Sequence, residues 1–136
     1  MKVYLAGGFF TDVQNNIMAE LENAMSMHGV NTFSPRRDNL GTLGCDWDAI
    51  YKRNIEELHT CDMVFASTQD KDMGTIFECG YATAIGKPIA YYAPNLSGLF
   101  NLMLAKTSIG VCTSREQLIE YVAMGMPNME YVHEME

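Results

Sequence analysis

Paired metal-ligand spacings are missing from this 136-residue chain. Cys45, Cys61, Cys79 and Cys112 stand far apart, and His28, His59 and His133 form no HxxH or HExxH pattern. Zinc sites need paired ligands, and disulfide frameworks belong to secreted, cysteine-dense chains, so free thiols are expected and neither a metal nor an organic cofactor. No apolar run reaches the ~18 residues of a membrane span. The start, Met-Lys-Val-Tyr-Leu-Ala-Gly-Gly, enters a strand without an apolar leader, which reads as cytoplasmic. Basic charge is scarce as well: nine Lys and Arg against seventeen Asp and Glu give a net charge of -8. Nucleic acid polymers call for a basic face, so they are excluded as partners, and a small neutral ligand is not. GxGxxG and P-loop spacings are also absent.

What is there is a soluble-protein composition, 48% hydrophobic with a mean hydropathy of -0.07, enough for one domain over residues 1–136 and too little for two. Eleven methionines read as flexible core filling and subunit contacts. Apolar and β-branched runs place strands at 2–6, 30–34, 62–67, 88–92 and 108–112. Helical spacing places helices at 12–28, capped by Asp12 and closed by Gly29, at 46–61 behind Asp46, and at 75–85 closed by Gly86. Two more follow at 99–105 and 114–123. Residues 36–45 show no period and read as a loop. The tail 126–136 reads as a segment that orders only against a partner. Strand and helix alternate five times through short joints, which implies a five-stranded parallel sheet covered by helices on both faces.

Right-handed crossovers put the carboxyl ends of all strands on one edge, where open α/β sheets bind ligands. Three loops converge there. The first, Gly7 to Asp12, carries a Gly-Gly turn and two adjacent aromatics, Phe9 and Phe10, balanced between core packing and a stacking platform. The second, Ser34 to Asn39, holds Arg36, Arg37 and Asp38, and a solvated charge cluster competes with a ligand contact. The third is the most informative: Asp72-Met73-Gly74-Thr75 opens a helix, and Glu78 is read in its first turn, where the dipole favours a charged carboxylate. Gly80 and Ala82 are read as clearing space around it. Asp72 and Glu78 form a carboxylate pair of the kind that cleaves glycosidic bonds, although solvation is the commoner fate of two acids.

These residues carry a resemblance. Val3-Tyr4-Leu5-Ala6-Gly7-Gly8-Phe9-Phe10-Thr11-Asp12 with Gln14-Asn15 resembles the start of the nucleoside 2-deoxyribosyltransferases. Asp72-Met73-Gly74 through Glu78-Cys79-Gly80-Tyr81-Ala82 and Gly86-Lys87 resembles that family's nucleophile helix. Asn101-Leu102-Met103 resembles its Asn-Leu-Met segment. The resemblance implies a flavodoxin-like fold and a cytoplasmic nucleoside-salvage enzyme that moves 2-deoxyribose between bases without a cofactor. Glu78 would be the nucleophile at C1', Tyr4 would hold its carboxylate, and Asp72 would handle the base's proton. Gly7, Phe9, Asp38, Asn54 and Gly74 would line the substrate site. Asn101 and Met103 would reach into a neighbouring subunit's site in a homo-oligomer built from dimers, up to a hexamer. The ligands would be a 2'-deoxynucleoside and a free nucleobase. Asn54 stands where some members carry an aspartate facing the base, so base preference does not carry over.

Two other readings stay open on sequence. One is a hydrolase of 2'-deoxynucleoside 5'-monophosphates, disfavoured by Asp12 in a loop where relatives of that type hold phosphate with Ser and Arg. The other is a non-catalytic nucleoside-binding module.

Overall fold

The computed structural model describes residues 1–39 and 46–136. Five strands, β1 (Lys2–Gly7), β2 (Asn31–Phe33), β3 (Met63–Ser67), β4 (Ile89–Tyr92) and β5 (Ser108–Cys112), form one sheet in the order β2-β1-β3-β4-β5. Every pairing is parallel. The helices are α1 (Asp12–Met27), α2 (Pro35–Asp38), α3 (Trp47–Thr60), α4 (Met73–Ala84), α5 (Leu102–Thr107) and α6 (Arg115–Ala123), with a 3-10 turn at Gln69–Lys71. The doubly wound single domain inferred from alternation is the fold observed. No helix among the described residues is long and apolar enough to cross a membrane.

The central strands are apolar at consecutive positions because both faces are covered. Along β1, Val3 and Leu5 join one core with Ile17, Leu21 and Met25 of α1 and Leu118 and Val122 of α6. Tyr4 and Ala6 point the other way, onto Leu58 of α3, Cys79 and Ala82 of α4 and Ala105 of α5. Burial also pushes the thiols up, Cys61 to about 11 and Cys79 and Cys112 to about 12, so they stay protonated.

Several boundaries differ from the sequence expectation, each for a local reason. Thr11, not Asp12, caps α1: its hydroxyl accepts from Gln14 N while the Gln14 side chain returns to the Thr11 N–H, a reciprocal pair. Residues 36–38, expected as loop, form with Pro35 a helical turn, Pro35–Asp38, with proline at its first position, where a missing N–H costs nothing. Residues 40–45 of that expected loop, Cys45 among them, lie outside the described residues. Asp72 caps α4 two residues earlier than expected, and α5 starts at Leu102 behind an Asn101 cap.

The segment after α6, expected to need a partner, packs on its own chain. Met129 N donates to Ile109 O, Tyr131 packs on Phe100 with ring centroids 5.8 Å apart, and Met135 bridges Phe100. Tyr121 anchors its start by donating to Pro127 O at 2.6 Å. The same hydroxyl lies against Gly110, where an added Cβ would stand 2.7 Å from it and 2.8 Å from Cζ. Gly110→Ala is therefore expected to destabilise the fold by about 1–3 kcal/mol through overpacking, read as a lower urea midpoint. An unchanged midpoint would show that the ring moves aside freely.

Candidate active site

The strand order reverses direction beside β1, since β2 lies to one side of it and β3 to the other. The crevice outside such a reversal is where this architecture places ligands. Gly7 and Ser67, the last residues of β1 and β3, are register partners there. Helix α4 follows β3 and packs back over both strands.

That packing brings together two residues separated by 74 positions: Tyr4 Oη donates a short hydrogen bond to Glu78 Oε2. Tyr4 is fully buried, with its ring 5.4 Å from that of Phe33. Burial, then the Glu78 charge, raises the phenol well above its ordinary range, so it remains a donor. Burial also dominates at Glu78, lifting the carboxyl from 4.5 to about 7. The Tyr4 hydrogen bond opposes the shift, and the negative charge of Asp72 adds to it. Here the sequence expectation is corrected. Glu78 is the sixth residue of α4 rather than a first-turn acid, so it lies beyond the short reach of the helix N-terminus and desolvation prevails.

Asp72 serves α4 directly: its Oδ2 accepts from Thr75 N at 3.0 Å and from Thr75 Oγ1 at 2.7 Å. Both bonds use one oxygen. The loop before it is strained, with Asp70 at φ 60° and Lys71 at φ 53°. Consecutive left-handed non-glycine residues cluster at functional sites because surrounding contacts must hold them. Gly74 carries no such constraint, since an added Cβ would meet only Asp72 Oδ2 at an ordinary 3.6 Å. Gly7 is different: a Cβ would stand 2.2 Å from Met18 Sδ. Gly80 does not make room for Glu78, because it faces open space, while Ala82 is buried in the core.

Phe9 and Phe10 stack on each other with centroids 4.8 Å apart and remain exposed, Phe10 to 73%. They are not core residues of this chain. On the far side of β1, Asp38 is held in place by Arg37 and by Ser34 N, and the Arg37 hydrogen bond keeps its carboxyl below the usual range. Asn54 accepts from Asn39 Nδ2 at 2.9 Å. The buried Asn39 Oδ1 has no partner among the described residues. Asn39 ends the charged segment the sequence marks, but its pairing with Asn54 is not legible there, and neither is Arg53, which lies 5.2 Å over the Phe33 ring and donates to Asp38 O. No local pattern marks either contact.

Asn101 caps α5 through Leu104 N, and Met103 is 70% exposed. Both line a cleft of about 870 Å³, bounded also by Asp70, Lys71, Ile76 and Glu136. Tyr4, Asp72 and Glu78 do not line it. Within one chain the structure thus unites Tyr4, Asp72 and Glu78, and leaves Asn101 and Met103 at a neighbouring opening.

The model of a protein family described as nucleoside 2-deoxyribosyltransferase matches residues 3–125. The chain belongs to the nucleoside 2-deoxyribosyltransferase family. Its members are enzymes that act on nucleosides, which agrees with an ionisable carboxylate held at the sheet reversal. Among solved structures, a 2-deoxyribosyltransferase from the bacterium Bacillus psychrosaccharolyticus superposes with a TM-score of 0.85 at 24% identity, over 97% of this chain and 100% of that one. A CMP N-glycosidase of Clostridium botulinum follows at 0.61 and 18% identity, covering 90% and 99%. A 2-desoxiribosyltransferase from Leishmania mexicana follows at 0.56 and 23%, covering 79% and 72%. At these identities the likeness is one of fold. No curated protein matches in a sequence search.

Proposed function

We propose that this family member transfers 2-deoxyribose between nucleobases in cytoplasmic nucleoside salvage, through a covalent ester on Glu78. The observation that carries the reading is the Glu78 carboxylate, desolvated to a pKa of about 7 and oriented by the buried Tyr4 hydroxyl. A carboxyl with a pKa of about 7 is half ionised at pH 7 and charged above it, and a proton relay nearby completes the exchange. In the first half, a Glu78 oxygen bonds to C1' as the C1'–N bond breaks, and the bonding pair leaves with the base. Asp72 Oδ1, the oxygen not used in capping α4, relays a proton from solvent water to the departing ring nitrogen. In the second half, a ring nitrogen of the incoming base attacks C1' from the side the first base left. Its proton leaves to solvent through Asp72, the Glu78 carboxylate departs as the C1'–O bond breaks, and configuration at C1' is retained.

Phe9 walls the base, while Gly7 and Gly74 keep the loop backbones close to the ligand. Asp38 and Asn54 set the base-facing side, with a neutral amide in the latter place. Asn101 and Met103 complete the site of a second copy in a dimer-based oligomer, near the sugar 5'-hydroxyl. Supporting that assembly, α4 turns apolar side chains outward, Met73 at 84% and Phe77 at 53% exposure.

A second reading, hydrolysis with water in place of the acceptor base, is favoured by the fold shared with the CMP N-glycosidase. Against a nucleotide substrate stands the loop 7–12, which offers Asp12 and no cation to a 5'-phosphate. Incubation of deoxyadenosine with and without free thymine distinguishes the two. The transferase forms thymidine only when the acceptor is present. Release of free deoxyribose at equal rates with and without thymine would establish hydrolysis instead.

A further inference from the structure

We infer that Gln14 is a positioning residue that locks the base-walling loop 7–12 to the strained loop leading into the nucleophile helix. The inference rests on the proposed role of Glu78. Gln14 is 4% exposed, one of few buried polar side chains, and both ends of its amide are hydrogen-bonded. Its Oε1 accepts from Phe10 N at 2.9 Å and Thr11 N at 3.2 Å, and its Nε2 donates to Gln69 O at 3.0 Å. One planar group thus ties the main chain beside Phe9 to the residue that starts the 3-10 turn.

Two further features show that the amide is held in place. A Cβ on Gly8 would stand 2.4 to 2.9 Å from the amide atoms of Gln14, so glycine is needed for the backbone to press against that group. Among the described residues, the only other side-chain hydrogen bond joining the same two loops is the exposed Thr11 Oγ1 to Asp70 Oδ2 contact, at 3.5 Å. On the far side of Gln69 come the left-handed Asp70 and Lys71, and then the Asp72 cap of α4. Left-handed non-glycine residues persist only where neighbouring contacts over-determine them, and the Gln14 to Gln69 bond is one of those contacts. Losing it frees the loop before Asp72 to relax and lets the Phe9 wall move relative to Glu78.

Gln14→Glu tests this, because a carboxylate still accepts from Phe10 N and Thr11 N and so preserves the cap of α1, yet when ionised it cannot donate to Gln69 O. Gln14→Met, of similar length and without either arm, is the second variant. At pH 8 we expect both to raise KM for the deoxynucleoside at least about tenfold with kcat changed less than about threefold, a loss of binding geometry. Hydrogen exchange of the Lys71 amide, bonded to Thr68 O, should accelerate at least about tenfold in both. The Asn15 amide, bonded to Thr11 O, should stay protected in Gln14→Glu. Parental KM and parental Lys71 exchange in Gln14→Glu would overturn the inference, as would a lowered melting temperature with KM unchanged. The exchange measurement needs no turnover, so parental protein without base exchange would sink the proposed function and leave this result standing.

Discussion

Glu78→Gln is expected to abolish base exchange, lowering kcat/KM by at least about 10⁴-fold, while raising thermal stability at pH 8. The rate loss follows from removing the only atom able to hold the sugar between the two half-reactions, and groups acting as a unit cost that much when one is lost. Glutamine is the better replacement because its carbonyl still accepts from Tyr4 Oη. Alanine would leave that buried hydroxyl unpaired at a cost of about 1–3 kcal/mol. The stability gain comes from the ionisation of the parental side chain. An unfolded glutamate titrates near 4.5 and the folded one near 7, so between these values the folded state holds more protons. Stability therefore falls as pH rises from 4.5 to 7 and stays reduced above, by on the order of 3 kcal/mol at most. Glu78→Gln escapes that cost at pH 8 and melts several degrees higher, by about 4 °C or more. Near pH 4.5 the advantage disappears. A variant that retains exchange, or that melts below the parent at pH 8, contradicts the assignment.

The second large effect is on the acid limb of the rate profile. If ionised Glu78 attacks, log kcat/KM rises with unit slope and levels off above a midpoint near 7. At pH 5 it lies about 100-fold below the plateau. The two neighbours acting on Glu78 push in opposite directions, which gives the experiment its discrimination. Tyr4→Phe removes the hydrogen bond that favours the charged form and moves the limb to higher pH. Asp72→Asn removes the negative charge that disfavours it and moves the limb to lower pH. Both substitutions also lower the plateau if the proposed roles hold. A limb that stays in place in both variants, or that belongs to the substrate and appears equally with Glu78→Gln residual activity, removes Glu78 from the rate law. Carbon-13 observation of the Glu78 carboxyl gives the same midpoint without turnover.

The two predictions concern a property that no stretch of sequence contains. Asp72 and Glu78 were readable as a spaced carboxylate pair after a strand, and the alternation of apolar runs with helical periods led directly to the parallel sheet. Boundaries were read less well where a side chain settles the matter. Thr11 and Asp72 are caps because their oxygens reach N–H groups three residues on, and Pro35 begins a helical turn that composition hides. Gln14 and Asn39 stand in segments the sequence marks, but their roles, like that of Arg53, are not legible there because they lie in partners 15 to 55 positions away. The segment after α6 looked unpartnered because its contacts, Ile109 and Phe100, are remote in the chain.

Taken alone, the order of residues determined what depends on neighbours along the chain: which segments alternate or repeat with helical period, the sheet edge where the loops meet, and the spacing that sets Glu78 behind Asp72. Tertiary structure alone decided how Glu78 ionises. A dipole at the start of α4 is a local effect and fades within one turn, whereas loss of water is set by everything packed around the carboxyl, and the hydrogen bond that opposes it comes from Tyr4 on a strand 74 residues earlier. Desolvation is a sum over space rather than over sequence, and at this carboxylate it outweighs the local term.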